Sequence, residues 1–372
     1  MEDMVMDVHF WKGRQVLLTG HTGFKGGMLG LWLAALGAKV TGLALEPPTG
    51  PSLFKLARVG TAVRSILGDV RNADGVKHTM QETCPEIVFH MAAQPLVRQS
   101  YRQPVETYST NVMGTVNVLE AVRHVSSVRA CVVVTSDKCY ENREWLWGYR
   151  ENEPLGGVDP YSSSKACAEI VAAAYRHSYF HPTRWAEHRT GLATARAGNV
   201  IGGGDFAPDR LVPDLVRAFA AGQPALIRRP QAIRPWQHVL DPLAGYILLA
   251  QRLCTDGAAF AQAWNFGPTA EDGCSVLVLA KMVADQWGKD ATIVVDSGSS
   301  TEHEAQELRL DSSRARSLLG WQPRWEIQRA VQETVIWHQA LRADADMHEF
   351  TLRQIREYQA ILVPGGASYE QA

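Results

Sequence analysis

The chain has 372 residues, 46% of them hydrophobic and 20% charged, with a formal net charge of −2. That balance excludes a disordered chain, and a pI of 6.6 gives no general affinity for nucleic acid. Six scattered Cys (84, 131, 139, 167, 254, 274) without a C-x-x-C pair predict reduced thiols and no metal site.

In chain order, a β-branched and aliphatic run at 14–19 ends in glycines, a helix follows over 27–36, and a strand over 39–45 stops at Pro47-Pro48. This is a βαβ unit. Strands are predicted at 65–67, 87–90, 130–135 and 192–197, with helices at 74–82, 107–125 and 162–179 between them. Such alternation predicts an α/β chain with a Rossmann-type, doubly wound parallel sheet. After Asn199 the pattern loosens. Helices at 211–221, 242–253, 275–287 and 314–319 predict a smaller C-terminal α/β lobe with some returns to the main sheet. The expected division is 1–198, 199–362 and a tail at 363–372. No run reaches the ~18 apolar residues of a membrane helix. The start Met1-Glu2-Asp3-Met4 lacks the pattern of a secretory signal, so a cytoplasmic protein without a membrane partner is expected.

Gly20, Thr22, Gly23, Phe24, Lys25 and Gly26 belong to a G-x-x-G-x-x-G loop between the first strand and its helix. Glycines there let the backbone approach a pyrophosphate seated on helix N-terminal amides, which predicts a dinucleotide site. Glu46, at the end of the second strand, could accept both ribose hydroxyls of NAD and would repel the 2′-phosphate of NADP. Asp69 and Val70 follow the third strand and are placed near the adenine. Ala92 and Ala93 end the fourth strand with the small side chains that close approach requires.

The densest signal lies at 135–165. Thr135-Ser136-Asp137-Lys138-Cys139-Tyr140 ends a buried strand, and strand C-termini form the ligand crevice of such a sheet. Tyr161 and Lys165 stand at i and i+4 on the next helix, on one face. An ammonium nearby favours a phenolate. Tyr161 is therefore expected to act as a base with its pKa lowered by Lys165, which would also bind the cofactor ribose. Of 37 basic residues only nine are Lys, and Lys25, Lys138 and Lys165 all fall in these motifs.

With these motifs the chain resembles the extended short-chain dehydrogenase/reductase family. Ser136-Asp137-Lys138 is similar to the sugar-nucleotide 4,6-dehydratases. The loop at 20–26, Thr135 to Asn142, Arg196 to Asp205 and Pro235-Trp236-Gln237-His238-Val239 resemble the CDP-glucose branch of that group. The resemblance implies an NAD-dependent lyase acting on a nucleotide sugar, CDP-glucose. It implies oxidation at C4, loss of water across C5 and C6, and return of the hydride to C6. Ser136 would hydrogen-bond the developing 4-keto oxygen. Asp137 would be the acid for the C6 hydroxyl, kept protonated by burial. Lys138 stands where dTDP-glucose dehydratases have Glu, and is either the C5 base or a stabiliser of the enolate.

Arg234 is expected on the diphosphate, since its fork suits phosphate, although Pro235 replaces the Asp of many relatives. Asn199 resembles a residue contacting phosphate or sugar. Arg210 and Pro213 are placed at the nucleotide pocket, Gln94, Arg98 and Ser100 near sugar hydroxyls, and Arg309 as a second phosphate ligand. The family also implies a homodimer, or a tetramer built on it, through helices 107–125 and 162–179. Two alternatives stand beside this reading: another sugar-nucleotide dehydratase or 4-epimerase, and a catalytically silent NAD(P)-sensing protein. An epimerase needs no acid at 137, and silent relatives usually lose the Tyr or the Lys.

Overall fold

A computed structural model describes residues 6–269, 273–296 and 306–362. The expected tail at 363–372 lies outside the described residues. Seven strands form one all-parallel sheet: β1 (Gln15–Thr19), β2 (Lys39–Ala44), β3 (Arg64–Leu67), β4 (Ile87–His90), β5 (Ala130–Val134), β6 (Gly191–Ala197) and β7 (Ala263–Phe266). Their order is β7-β6-β5-β4-β1-β2-β3. The order reverses between β1 and β4, and there the strand C-termini open a crevice.

Period-two alternation feeds the two helical layers. Val16 and Leu18 of β1, Ile87 and Phe89 of β4, and Val132 and Val134 of β5 join one core. Leu17, Val88, Cys131 and Val133 join the other. The first layer holds α1 (Phe24–Ala35), the second α2 (Ala73–Thr83), α3 (Gly114–Arg123) and α4 (Pro160–Ser178). Helix α3 continues a helical stretch that begins at Pro104–Tyr108 and passes through a π-turn at Ser109–Met113.

The chain beyond 199 serves both the sheet and a lobe of its own. Helices α5 (Leu211–Ala220), α7 (Val276–Trp287) and α8 (Ile327–Arg342) build a separate core with the parallel pair Ala225–Ile227 and Ile293–Val295. Helix α6 (Leu240–Phe260) packs against β5 and β6, and β7 extends the sheet beside β6. Helix α9 (Met347–Leu362) closes on α1, where Trp32 stacks edge-on against Tyr358 and donates to Gln359 at 3.1 Å. Helices α8 and α9 exceed the sequence expectation, which stopped at 319. None of the described helices is long and apolar enough to cross a membrane.

Candidate active site

The glycine loop is built for close approach. Gly20 has φ +82°, and a Cβ there would lie 2.8 Å from the Ala92 amide nitrogen. A Cβ on Gly26 would lie 2.2 Å from the Gly20 carbonyl oxygen. Thr22 fastens the loop to the end of β2 by donating to the Leu45 carbonyl at 2.8 Å. Gly23 is the N-cap of α1 and brings no side chain to bond the first-turn amides. Those amides and the helix dipole therefore suit an anionic pyrophosphate. Phe24 lies over Gly202. Ala92 and Ala93 follow β4, whose end is locked to β1: the Met91 and Ala92 amides both donate to Thr19 Oγ1, at 3.0 and 3.1 Å. Thr19 Oγ1 in turn lies 2.8 Å from His90 Nδ1, and His90 Nε2 lies 3.1 Å from Thr115 Oγ1. Burial, with the Lys165 charge, holds this imidazole down at about 3, so it is neutral.

Glu46 is exposed just past β2. Asp69 pairs with Arg71 at 2.6 Å, and Val70 is buried against Gly114. Together, the glycine cradle and the helix N-terminus fit a dinucleotide.

The turn expected to carry the chemistry follows β5. Ser136 caps a short 3₁₀ turn, Asp137–Cys139, by accepting the Lys138 amide at 3.2 Å. Its hydroxyl donates to Asp137 Oδ1 at 2.8 Å. Asp137 is buried, and its Oδ2 has no hydrogen-bond partner among the described residues. Lys138 stands half-buried on the same turn. Helix α4 begins at Pro160 with Asp159 as its cap, which places Tyr161 and Lys165 on the face toward this turn.

One expectation is corrected. The Tyr161 phenol is pushed up to about 12, chiefly by burial; a Ser136 hydrogen bond lowers it, the Asp137 charge raises it, and Arg210 lowers it. Lys165 is not among the leading influences on the phenol, and its ammonium donates to the Val134 carbonyl at 3.3 Å. Burial brings Lys165 itself down to about 8, against the raising effect of Glu169 and Cys139.

The candidate substrate residues divide. Gln94 and Ser100 are buried, with their polar atoms engaged within the protein. Both ends of the Gln94 amide are used within the protein: Nε2 donates to Leu96 O and Thr107 Oγ1, and Oε1 accepts from the Leu96 amide. Ser100 is fully enclosed. It donates to Val97 O and accepts the Tyr161 amide at 3.1 Å, so it holds Tyr161 and the start of α4 in place. Arg98 pairs with Asp209 at 3.2 Å. Arg210 pairs with Asp205 at 2.8 Å and acts electrostatically on Tyr161 and Lys25. Arg234 is buried and donates to the Ile233 and Gln306 carbonyls. Arg309 pairs with Glu307 at 2.6 Å. The Asn199 carbonyl accepts the Gln237 amide, and Pro213 is buried in α5. Two participants escaped the sequence reading: the Tyr246 hydroxyl, which meets Lys25, and the buried pair Glu169–Arg196. The signal for Glu169 was its place four residues past Lys165 on a face of small residues.

The model of the GDP-mannose 4,6-dehydratase family matches residues 17–334. The chain belongs to that family. Within it, the CDP-glucose 4,6-dehydratase of Salmonella typhimurium is 54% identical over 95% of this chain and 98% of its own length. The fold is shared with the dTDP-glucose 4,6-dehydratase of Bacillus anthracis solved with NAD (TM-score 0.72, 21% identity, 90% of this chain and 99% of that one). It is shared also with the UDP-glucose 4-epimerase of Thermus thermophilus solved with NAD (TM-score 0.75, 24% identity, 87% and 98%). Family membership accounts for the conjunction of glycine loop, strand-end turn and Tyr-Lys helix.

Proposed function

We propose that this chain is an NAD-dependent hydro-lyase converting CDP-D-glucose to CDP-4-dehydro-6-deoxy-D-glucose and water. The observation that carries the proposal is a buried Asp137 within electrostatic reach of Tyr161, in a chain 54% identical over nearly its whole length to a CDP-glucose 4,6-dehydratase. An epimerase has no use for that carboxyl.

NAD, once bound, would supply a reversible hydride acceptor for the oxidation at C4 and the reduction at C6. The first turn of α1 and the loop glycines would hold its pyrophosphate, and Glu46, Asp69 and Lys165 its ribose and adenine ends. Tyr161 accepts the proton of the C4 hydroxyl, and Ser136 hydrogen-bonds the resulting carbonyl oxygen. That carbonyl acidifies C5–H. Asp137 delivers a proton to the departing C6 hydroxyl. Lys138 takes the C5 proton, or in its charged form stabilises the enolate while water takes that proton; a proton returns to C5 as C6 receives the hydride. Positioned acids and bases of this kind are each worth about 10²–10⁴-fold. Arg210 is the positive group that favours the Tyr161 phenolate against its burial. Arg210, Arg234, Asn199 and Arg309 are the groups proposed for the sugar nucleotide.

Incubation with CDP-glucose should yield a product with the alkaline absorbance of a 4-keto-6-deoxy sugar. Silence with CDP-glucose, but signal with another nucleotide-glucose, would move the assignment to that base.

The proposal extends to a cytoplasmic homodimer. Val105 (82% exposed), Tyr108, Met113 and Ile170 (57%) leave apolar side chains uncovered on two helical segments joined by the Tyr108–Ser163 hydrogen bond. A monomer in sedimentation would refute it.

A further inference from the structure

Tyr161, Lys165 and Glu169 recur every four residues along one face of α4, and all three are buried. Glu169 Oε1 accepts the Thr135 hydroxyl, and Oε2 accepts Thr194 Oγ1 at 2.7 Å and Arg196 Nη2 at 2.8 Å. Arg196 Nη1 donates to the Tyr140 hydroxyl at 2.7 Å and the Glu151 carbonyl at 3.1 Å. The Tyr140 hydroxyl in turn donates to Asn265 Oδ1 at 2.7 Å, and the guanidinium lies 4.9 Å over the Tyr140 ring. Thr135 directly precedes the catalytic turn and Tyr140 directly follows it. One ion pair therefore grips both ends of Ser136-Asp137-Lys138-Cys139, and does so from the helix that carries Tyr161 and Lys165.

Such a pair is a poor device for stability alone. Desolvation of two charges offsets their attraction, and hydrophobic replacements of buried pairs are often neutral or stabilising. We propose that Glu169 and Arg196 are positioning residues of the catalytic centre: they fix the acid-bearing turn against the Tyr-Lys helix and keep Lys165 charged. This rests on the dehydratase reading above. The groups facing Lys165 are Glu169 on its own helix, Cys139 on the turn, His90 on β4 and Lys25 on α1. Glu169 alone among them is a carboxylate, and it raises the affinity of Lys165 for its proton. Arg196, in turn, helps to hold Glu169 ionised: burial pushes that carboxyl up, and the guanidinium together with the Thr135 and Thr194 hydroxyls more than reverses the effect.

Two double variants separate grip from charge. Glu169→Leu with Arg196→Leu removes both. It is expected to melt no lower than the parent, yet to lose about 100-fold in kcat at little change in KM, the size of effect a small misplacement of catalytic groups produces. Glu169→Gln with Arg196→Gln keeps hydrogen-bonding groups but no charge. Its alkaline limb of kcat should move to lower pH. With nine lysines, a carbon-13 lysine titration reads Lys165 directly, assigned by Lys165→Arg. In the Gln/Gln variant the Lys165 pKa should fall, whether or not CDP-glucose is turned over. A parent inert toward CDP-glucose would sink the functional reading while the titration still judges this inference. An unmoved Lys165 titration, or kcat and pH limb within twofold of the parent in both variants, would overturn it. Should Leu/Leu fail to fold, Gln/Gln and the single variant Glu169→Gln, read by the same titration, decide the matter.

Discussion

The Lys25 ammonium donates to the Tyr246 hydroxyl at 2.9 Å, joining the first turn of α1 to α6 across 221 residues of sequence. Lys25 thus stands at the end of the cofactor loop with its charge directed toward the catalytic side. Burial first, then Lys165 and Arg210, bring its pKa down to about 7, with Asp137 opposing them. The unfolded chain, at the ordinary 10.5, binds this proton more firmly than the folded one. Folding is therefore penalised at neutral pH, and the penalty fades as pH rises from about 7 to 10.5. Lys25→Met should raise the melting temperature at pH 7, by on the order of 1 kcal/mol or more in stability, and the gain should shrink steadily as pH rises toward 10.5. A gain that grows with pH would contradict the assignment.

Acid should act in the same direction through the histidines, at lower pH. Burial holds His90 and His238 down at about 3, and His21 and His338 at about 4, while the unfolded value is 6.5. Their stability contribution is full above 6.5 and is lost as pH falls toward the folded values. At pH 5 each costs about 1–2 kcal/mol. Thermal melts between pH 7 and 5 should show a steep decline, and replacing His90 by an uncharged residue should flatten it.

Ser100→Ala tests the anchoring of the catalytic tyrosine. The Tyr161 amide would lose its partner inside the protein, a cost of about 1–3 kcal/mol. Turnover should fall with KM little changed, since Ser100 is enclosed and its hydroxyl is engaged within the protein. A rise in KM alone would place Ser100 on the sugar.

Gly26→Ala would press a methyl group against the Gly20 carbonyl. We expect a loss of about 1–3 kcal/mol from overpacking and a larger loss of NAD affinity, read by fluorescence titration. Unchanged affinity would remove the loop from the cofactor site.

Asp137→Asn keeps an acceptor for the Ser136 hydroxyl but removes the acid. NAD binding should persist while formation of the 4-keto-6-deoxy product drops about 10²–10⁴-fold. Turnover near that of the parent would refute Asp137 as the acid.

The sequence by itself determined what is local. Strand-turn-helix alternation, the glycine spacing and the four-residue interval from Tyr161 to Lys165 each follow from backbone periodicity, and each stands where it was predicted. The tertiary structure alone decided the rest. That β7 returns to the sheet and α9 closes on α1 depends on which apolar faces meet, and periodicity names a face without naming its partner. The same holds for charge and polarity. Gln94 and Ser100 read as loop residues near a ligand until the fold enclosed their polar atoms among their neighbours. The pKa of Tyr161 was expected to fall because a lysine stood one turn away; the fold buried the phenol and turned that lysine to a strand carbonyl. Burial and orientation set electrostatic strength, and both arise only when distant segments pack, as Glu169 and Arg196 do beneath the catalytic turn.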